Sequence, residues 1–249
     1  KRRGTHKSLG RNILFYLVRG REKKEEPLQK TVISKKREEV KREKTKRMTD
    51  TDTQMAFTFV TGNAHKLKEL QEMLGERVFS IDLDLPELQG DPEQVAYAKC
   101  KAAQLHVKGP VLVEDSSLCF NALGGMPGVF VKWFLEKTGL HGLVNLLMPY
   151  SDKSAYGQCI YALSDTSGIV HLFAGRRNGH IVSPRGPTHF GWDAIFQPEG
   201  SSETYAEMSK ETKNRTSDRA IALLKLTRHL ENKSRYHEHQ QRSISPQHQ

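Results

Sequence analysis

The sequence predicts an α/β or α+β domain, with strands and helices mixed around a central sheet. Three observations carry that prediction. The β-branched and aromatic run Ala56-Phe57-Thr58-Phe59-Val60 is followed by apolar residues at helical spacing, Leu67, Leu70 and Leu74. The run Val111-Leu112-Val113 is apolar at every position, as in a strand covered on both faces. Ser154–Leu163 and Ile169–Ala174 flank the turn Asp165-Thr166-Ser167-Gly168 and read as an antiparallel pair, able to form a second lobe.

Taken in order, the first strand leads into Thr61-Gly62-Asn63-Ala64-His65-Lys66 at the start of the first helix. This loop has two readings. As a phosphate cradle, Gly62 permits close backbone approach, free N–H groups at the helix start favour an anion, and Lys66 adds a point charge. As an ordinary Gly-Asn turn, it simply caps a helix. It is not a Walker loop, whose Gly-Lys-Ser/Thr ending is absent. Val78–Leu83 reads as a second strand. Asp91 is expected to cap a second helix, with Pro92 in its first turn, Gln94 at the capping-box position, and Val95, Ala98, Ala102 and Leu105 as its buried face. Gly109-Pro110 turns the chain into Val111–Val113, and Glu114-Asp115-Ser116-Ser117 is expected at the carboxyl end of that strand. Beyond the tight loop Gly124–Gly128, helices are expected over Val129–Leu135 and Leu140–Leu147. A strand over His180–Ser183, a loop opened by Phe190-Gly191-Trp192-Asp193, and one long helix over Lys210–Leu230 complete the series.

The net charge of +10 suggests a nucleic-acid binder, but the charge is unevenly spread. Of the 39 Lys/Arg and 29 Asp/Glu, residues 1–47 hold 18 and 6, which leaves 21 and 23 for the rest. The globular part is therefore nearly neutral. Residues 1–47 are too charged and apolar-poor to build a core. Their run Ile13–Val18 is far short of a membrane span, and their glutamates argue against a transit peptide. With Lys at residue 1 and an ordinary start at Met48, they are expected to be a basic extension, from the gene model or as an accessory arm able to bind RNA. The expected organisation is this arm, a domain over 48–231, and a polar disordered tail over 232–249. Cys100, Cys119 and Cys159 are widely spaced and form no Cys-x-x-Cys pair, which points to reduced thiols; their odd number and the lack of a clear signal peptide point to the cytosol, and no membrane partner is expected.

Several side chains are candidates for chemistry. Glu87 and Asp115 are carboxylates at loop and strand-end positions, where ligands of α/β sheets bind. Such carboxylates can hold Mg²⁺ together with waters and phosphate oxygens, or deprotonate an attacking water. Lys66, Lys99, Lys132, Lys213 and Arg219 are cations able to face a triphosphate, although each also reads as a surface charge. Phe190-Gly191-Trp192-Asp193 offers an aromatic face for a base and a carboxylate for its edge, or a structural aromatic in a turn. No Ser-His-Asp signature, zinc spacing or dinucleotide fingerprint is present.

The order of these motifs is recognisable. Thr-Gly-Asn-Ala-x-Lys at 61–66, Leu-Pro-Glu-x-Gln-Gly at 85–90 and Val-Glu-Asp-Ser at 113–116 are followed by Gly-Gly-x-Pro-Gly at 124–128. Phe-Gly-Trp-Asp at 190–193 and Lys-Asn-x-x-Ser-x-Arg at 213–219 complete the set. From Phe57 to Leu230 the chain resembles the inosine triphosphate pyrophosphatase family, close to its eukaryotic branch. The resemblance implies an elongated α/β fold with a long central mixed sheet, two lobes and a cleft between them. It also implies a homodimer and a Mg²⁺-dependent reaction, with Mn²⁺ able to substitute. Inosine, deoxyinosine and xanthosine triphosphates would be cut to the monophosphate and pyrophosphate, cleansing the nucleotide pool. Carried over by position, Thr61, Gly62, Asn63, Ala64, His65 and Lys66 would hold the phosphates, with Lys99, Ser116 and Lys132 also at the nucleotide. Glu87 and Asp115 would bind the metal, and Asp115 would act as base. Phe190, Gly191, Trp192 and Asp193 would line the base pocket with Lys213, Ser217 and Arg219.

Two positions depart from the family pattern. Asp218 stands where Ser-His-Arg is usual, which adds a negative charge near a polyanion and predicts weaker or altered base handling. Ser116 replaces a common Thr and keeps the hydroxyl. Two other functions compete: a nucleotide- or RNA-binding protein that has lost catalysis, and a related pyrophosphatase acting on modified pyrimidine nucleotides.

Overall fold

The computed structural model describes residues 56–75, 78–86 and 88–244. The basic arm over 1–47, Glu87 and residues 245–249 of the expected tail lie outside the described residues. The described elements are β1 (Phe57–Val60), α1 (Ala64–Leu74), β2 (Val78–Ile81), α2 (Pro92–Gln104), β3 (Val111–Phe120), β4 (Pro127–Gly128) and α3 (Val131–Leu146). They continue with β5 (Ser154–Ser164), β6 (Val170–Ile181), β7 (Phe196–Pro198), α4 (Lys210–Thr216) and α5 (Asp218–Ile244). One mixed sheet runs in the order β2-β1-β3-β5-β6-β7, with β4 added to the end of β3. β1 lies parallel to β2 and β3, and the remaining pairs are antiparallel.

Strand alternation decides what covers each face. Phe57, Phe59, Leu112, Tyr161 and Leu163 point to one side and bury α1 and α5 through Leu70, Leu74, Leu223 and Leu226. Val60, Val111, Val113, Ile160 and Ala162 point to the other side, against Ala96, Cys100 and Ala103 of α2. A third cluster packs Leu118 and Phe120 of β3 with Leu143 and Leu147 of the α3 region and with Ile195, Phe196 and Tyr205. Its residues form the second packing region, beyond the parallel strands. All three cysteines are buried and free, as the spacing predicts. No described helix is long and apolar enough to cross a membrane.

Several elements depart from the sequence expectations. The strand expected to end at Val113 continues to Phe120, because β5 pairs with it from Val111↔Ser164 to Phe120↔Ala155. Glu114 and Asp115 therefore stand within the strand. β1 pairs with β3 only as far as Phe59↔Leu112, so both acids still lie beyond the carboxyl end of the parallel segment. The strand expected at His180–Ser183 is the end of β6, held by β7 through Ile181↔Phe196. Gly139, at φ 68°, separates the two helices expected across α3. Asp91 has the extended backbone of an N-cap but makes no side-chain capping bond. The buried stripe of α2 is Val95, Ala96, Cys100 and Ala103, and Leu105 lies past the helix end, 83% exposed. The expected single C-terminal helix is two: Ser217 is extended (φ −71°, ψ 163°), ends α4, and accepts a bond from Ala220 N on Oγ at 3.2 Å. α5 then runs beyond Leu230 to Ile244, into the stretch expected to be a disordered tail.

Candidate active site

The loop after β1 is a capped turn. Asn63 Oδ1 accepts from His65 N at 3.0 Å and Lys66 N at 3.2 Å, and Thr61 Oγ1 accepts from Asn63 N at 3.1 Å. Two of the N–H groups that the sequence reading offered to an anion are thus satisfied inside the loop. Gly62 is not in the left-handed region; a Cβ there would fall 2.7 Å from Asp82 Oδ1, so the glycine makes room for that carboxylate. The charge at this corner comes from the Lys66 side chain.

Lys66 faces a cavity of about 420 Å³ between α1, the loop at 189–193, and α4 with the start of α5. Its lining brings together Asn63, His65, Lys66, Ser116, Phe190, Gly191, Trp192, Asp193, Lys213, Ser217 and Arg219. Eleven of the residues expected at a nucleotide site, drawn from four separate motifs, therefore share one space. Lys213 contacts Asp193 and stands 4.3 Å from the Phe190 ring centroid. His65 meets Phe190 edge-on at 5.7 Å. Trp192 packs on Phe196 and Tyr205, with its face fixed by the aromatic cluster beneath it. Burial pushes the Asp193 carboxyl up, against the opposing pull of Lys213.

Asp115 and Lys99 stand elsewhere. Successive strand residues point to opposite faces, so Asp115 shares the α2 side of the sheet with Lys99, whose Nζ donates to Oδ1 at 3.1 Å. Burial raises the Asp115 carboxyl above its ordinary range, although Lys99 and then Lys66 pull it down. Lys66 is thus close enough to act on both sides of the strand. Lys132 is not among the cavity-lining residues; it opens α3, its Nζ 5.6 Å from the Trp133 ring centroid. Thr61 and Gly62 lie in the loop before Asn63 and Ala64 is the first residue of α1; none of the three is among the cavity-lining residues. Among the described residues no group of three or more His, Cys, Asp or Glu is arranged to hold a metal. Mg²⁺ needs only one or two protein carboxylates beside phosphate oxygens and waters, and Asp115, 15% exposed at its side chain, suits that donor set.

Sequence reasoning passed over four residues that shape the cavity. Glu114, read only as part of an acidic pair, is buried beside Lys66 and Arg219. Burial pushes its carboxyl up, but Arg219 and Lys66 outweigh that and hold it well below the usual carboxylate range. Glu69 pairs with Arg219 Nη1 at 2.8 Å. Tyr205 donates to Asp218 Oδ1 at 3.2 Å. Gly157 lies under Trp192, where a Cβ would come within 2.7 Å of Cη2. The nearest signal in the sequence was Glu114 itself, a charge at the end of an otherwise apolar run.

An α/β sheet with a cation-lined, aromatic-walled cavity at the end of its parallel strands defines a nucleotide- or phosphoanion-binding protein. The comparisons narrow the class. The Ham1 family model matches residues 57–229, and the chain belongs to that family. It is similar to the Staphylococcus aureus Ham1 protein, at 26% identity over 72% of this chain and 99% of that one, with a TM-score of 0.65. The Coxiella burnetii HAM1 protein is 28% identical over 72% and 99% of the two chains, TM-score 0.65. A nucleoside-triphosphatase / dITP/XTP pyrophosphatase from Mycobacterium abscessus is 30% identical over 68% and 98%, TM-score 0.54.

Proposed function

We propose that the protein hydrolyses inosine, deoxyinosine and xanthosine triphosphates to the monophosphate and pyrophosphate, acting as a homodimer in the cytoplasm. The coarser reading, a nucleoside triphosphate pyrophosphatase, rests on Ham1 membership and on likeness to the Mycobacterium abscessus pyrophosphatase. The single observation that carries it is the convergence of Lys66, Lys213 and Arg219 with Phe190 and Trp192 on one cavity. Phosphoryl transfer asks a protein mainly for positioning and charge neutralisation, which this lining supplies.

In this reading the base stacks against Phe190 and Trp192, and the phosphates extend toward Lys66 and Arg219. Asp115 takes a proton from the water that attacks the α-phosphorus, and pyrophosphate leaves as the α–β bond breaks. Lys99 keeps that carboxylate oriented. Asp115 and Glu87 would hold Mg²⁺, which supplies charge neutralisation on the phosphate oxygens when bound. Donors such as Lys213 and the Ser217 hydroxyl favour a 6-keto oxygen. An adenine amino group would leave them unpaired, and unpaired buried polar groups give strong discrimination. Asp218 at the cavity wall opposes part of that donor character.

Pyrophosphate release with Mg²⁺ from inosine, xanthosine, guanosine and adenosine triphosphates tests the proposal. The keto purines inosine and xanthosine are expected to lead in kcat/KM. Binding without release from any of them would favour a non-catalytic nucleotide-binding protein.

A further inference from the structure

We propose that Glu114 is a positioning residue of the triphosphate site, a buried anion that fixes where Lys66 and Arg219 present their charges. The inference rests on the triphosphate reading above. The Glu114 side chain is 1% exposed, and its single oxygen Oε1 collects Lys66 Nζ at 3.1 Å and Arg219 Nη2 at 3.2 Å. The Ser116 hydroxyl donates to the same oxygen at 2.6 Å. The two cations come from different elements, the first turn of α1 and the first turn of α5, and both line the cavity. Oε2 has no protein partner, so Oε1 carries the whole of the pairing.

A carboxylate this buried is tolerated only while cations stay beside it. That requirement works in both directions. Lys66 and Arg219 are long side chains that lose much freedom on binding a ligand, and Glu114 removes that freedom beforehand. Lys66 keeps further donor hydrogens for a phosphate. Arg219 is held twice, by Glu114 through Nη2 and by Glu69 through Nη1 at 2.8 Å. The two partners differ. Glu69 lines the cavity with its side chain 19% exposed, so an incoming phosphate oxygen can replace it on Nη1. Glu114 is enclosed and stays on Nη2. Because β3 turns Glu114 away from Asp115 and Lys99, its side-chain pairing is with the two cations of the cavity and not with the Asp115–Lys99 pair.

The test is the affinity of the full chain for inorganic tripolyphosphate by calorimetry, with steady-state hydrolysis of inosine triphosphate alongside. Glu114→Gln is expected to weaken tripolyphosphate binding about 10- to 100-fold and to raise KM by a similar factor, with a smaller effect on kcat. Glu69→Gln removes a negative charge that competes with phosphate for the same arginine and is expected to tighten tripolyphosphate binding. In a Lys66→Met background the further loss from Glu114→Gln is expected to shrink several-fold, since part of its effect passes through that lysine. Glu114→Asp keeps the charge one methylene short and is expected to bind with intermediate affinity. If Glu114→Gln fails to fold, as read by melting, Glu114→Asp decides: wild-type affinity there overturns the proposal. Unchanged or tighter binding by a folded Glu114→Gln overturns it, as do equal losses in the Glu69 and Glu114 variants. A wild-type chain that neither binds tripolyphosphate nor hydrolyses inosine triphosphate overturns the triphosphate reading itself, and this inference with it.

Discussion

Two neighbouring acids on β3 have opposite environments. Glu114 faces α1 and α5, is enclosed by Lys66 and Arg219, and is held well below the usual carboxylate range. Asp115 faces α2, has one lysine at 3.1 Å, and is raised because burial outweighs that partner. The pleat of a strand separates them, although they are adjacent in sequence. Direct contact with cations, more than burial, sorts the two roles. Two cations make a fixed anion that organises its surroundings, and one leaves a carboxylate able to accept a proton.

The largest effect is expected at Asp115. Asp115→Asn keeps the shape and an acceptor for Lys99 but removes the proton acceptor. Turnover of inosine triphosphate is expected to fall about 10²- to 10⁴-fold with little change in melting temperature. A kcat within threefold of wild type would remove Asp115 from its role. On the other face, Arg219→Met is expected to act first on stability. It strips Glu114 of one cation and leaves a buried charge half-compensated, at a cost of about 3–5 kcal/mol in urea unfolding. Should Arg219→Met unfold at the wild-type midpoint, Glu114 does not depend on that pair.

The same two faces show what the sequence makes legible. The β-branched and aromatic run Phe57–Val60 marks a strand, and the all-apolar Val111–Val113 marks one covered on both sides, because burial there depends on local pattern. The continuation of β3 through Glu114-Asp115-Ser116-Ser117 is hidden, since polar residues read as a strand end. What keeps them in the strand is pairing with β5 and cations that arrive from 48 residues upstream (Lys66) and 105 downstream (Arg219). The site divides in the same way. Phe190, Trp192 and Lys213 are legible as chemical types that suit a base and phosphates. Glu69 becomes visible only once α1 and α5 lie side by side, because its partner is 150 residues away. Gly157 is legible only after Trp192 is seen lying on it.

Asp218, near Glu114, is a buried acid with too little support. Burial pushes its carboxyl up from 3.8 to about 6, against Arg219 and the Tyr205 hydroxyl. Between those two values the folded chain binds more protons than the unfolded one, so stability falls as pH rises from about 4 to 6. The loss is complete above that range and amounts to about 3 kcal/mol at pH 7. Asp218→Asn keeps an acceptor for Tyr205 and is expected to recover most of it at pH 7 and almost none at pH 4. Urea unfolding of both forms at the two pH values checks this. Equal effects of the substitution at pH 4 and pH 7 would show that Asp218 stays ionised, or neutral, throughout.

The smallest effect is expected where α1 meets α4 in the open. Lys210 Nζ lies 2.9 Å from Glu72 Oε1, as short as the Arg219–Glu69 pair is close, and it too joins the first helix to the C-terminal ones. The two pairs differ in exposure and in company: the Lys210 and Glu72 side chains are 53% and 41% exposed, against 13% and 19% for Arg219 and Glu69, and Arg219 also holds the buried Glu114. Water and salt screen the outer pair, and two long side chains must be immobilised to make it. Lys210→Ala is therefore expected to leave the melting temperature and kcat/KM for inosine triphosphate unchanged, at low and high salt alike. A drop comparable to that of Arg219→Met would mean that the outer pair clamps the helices despite its exposure.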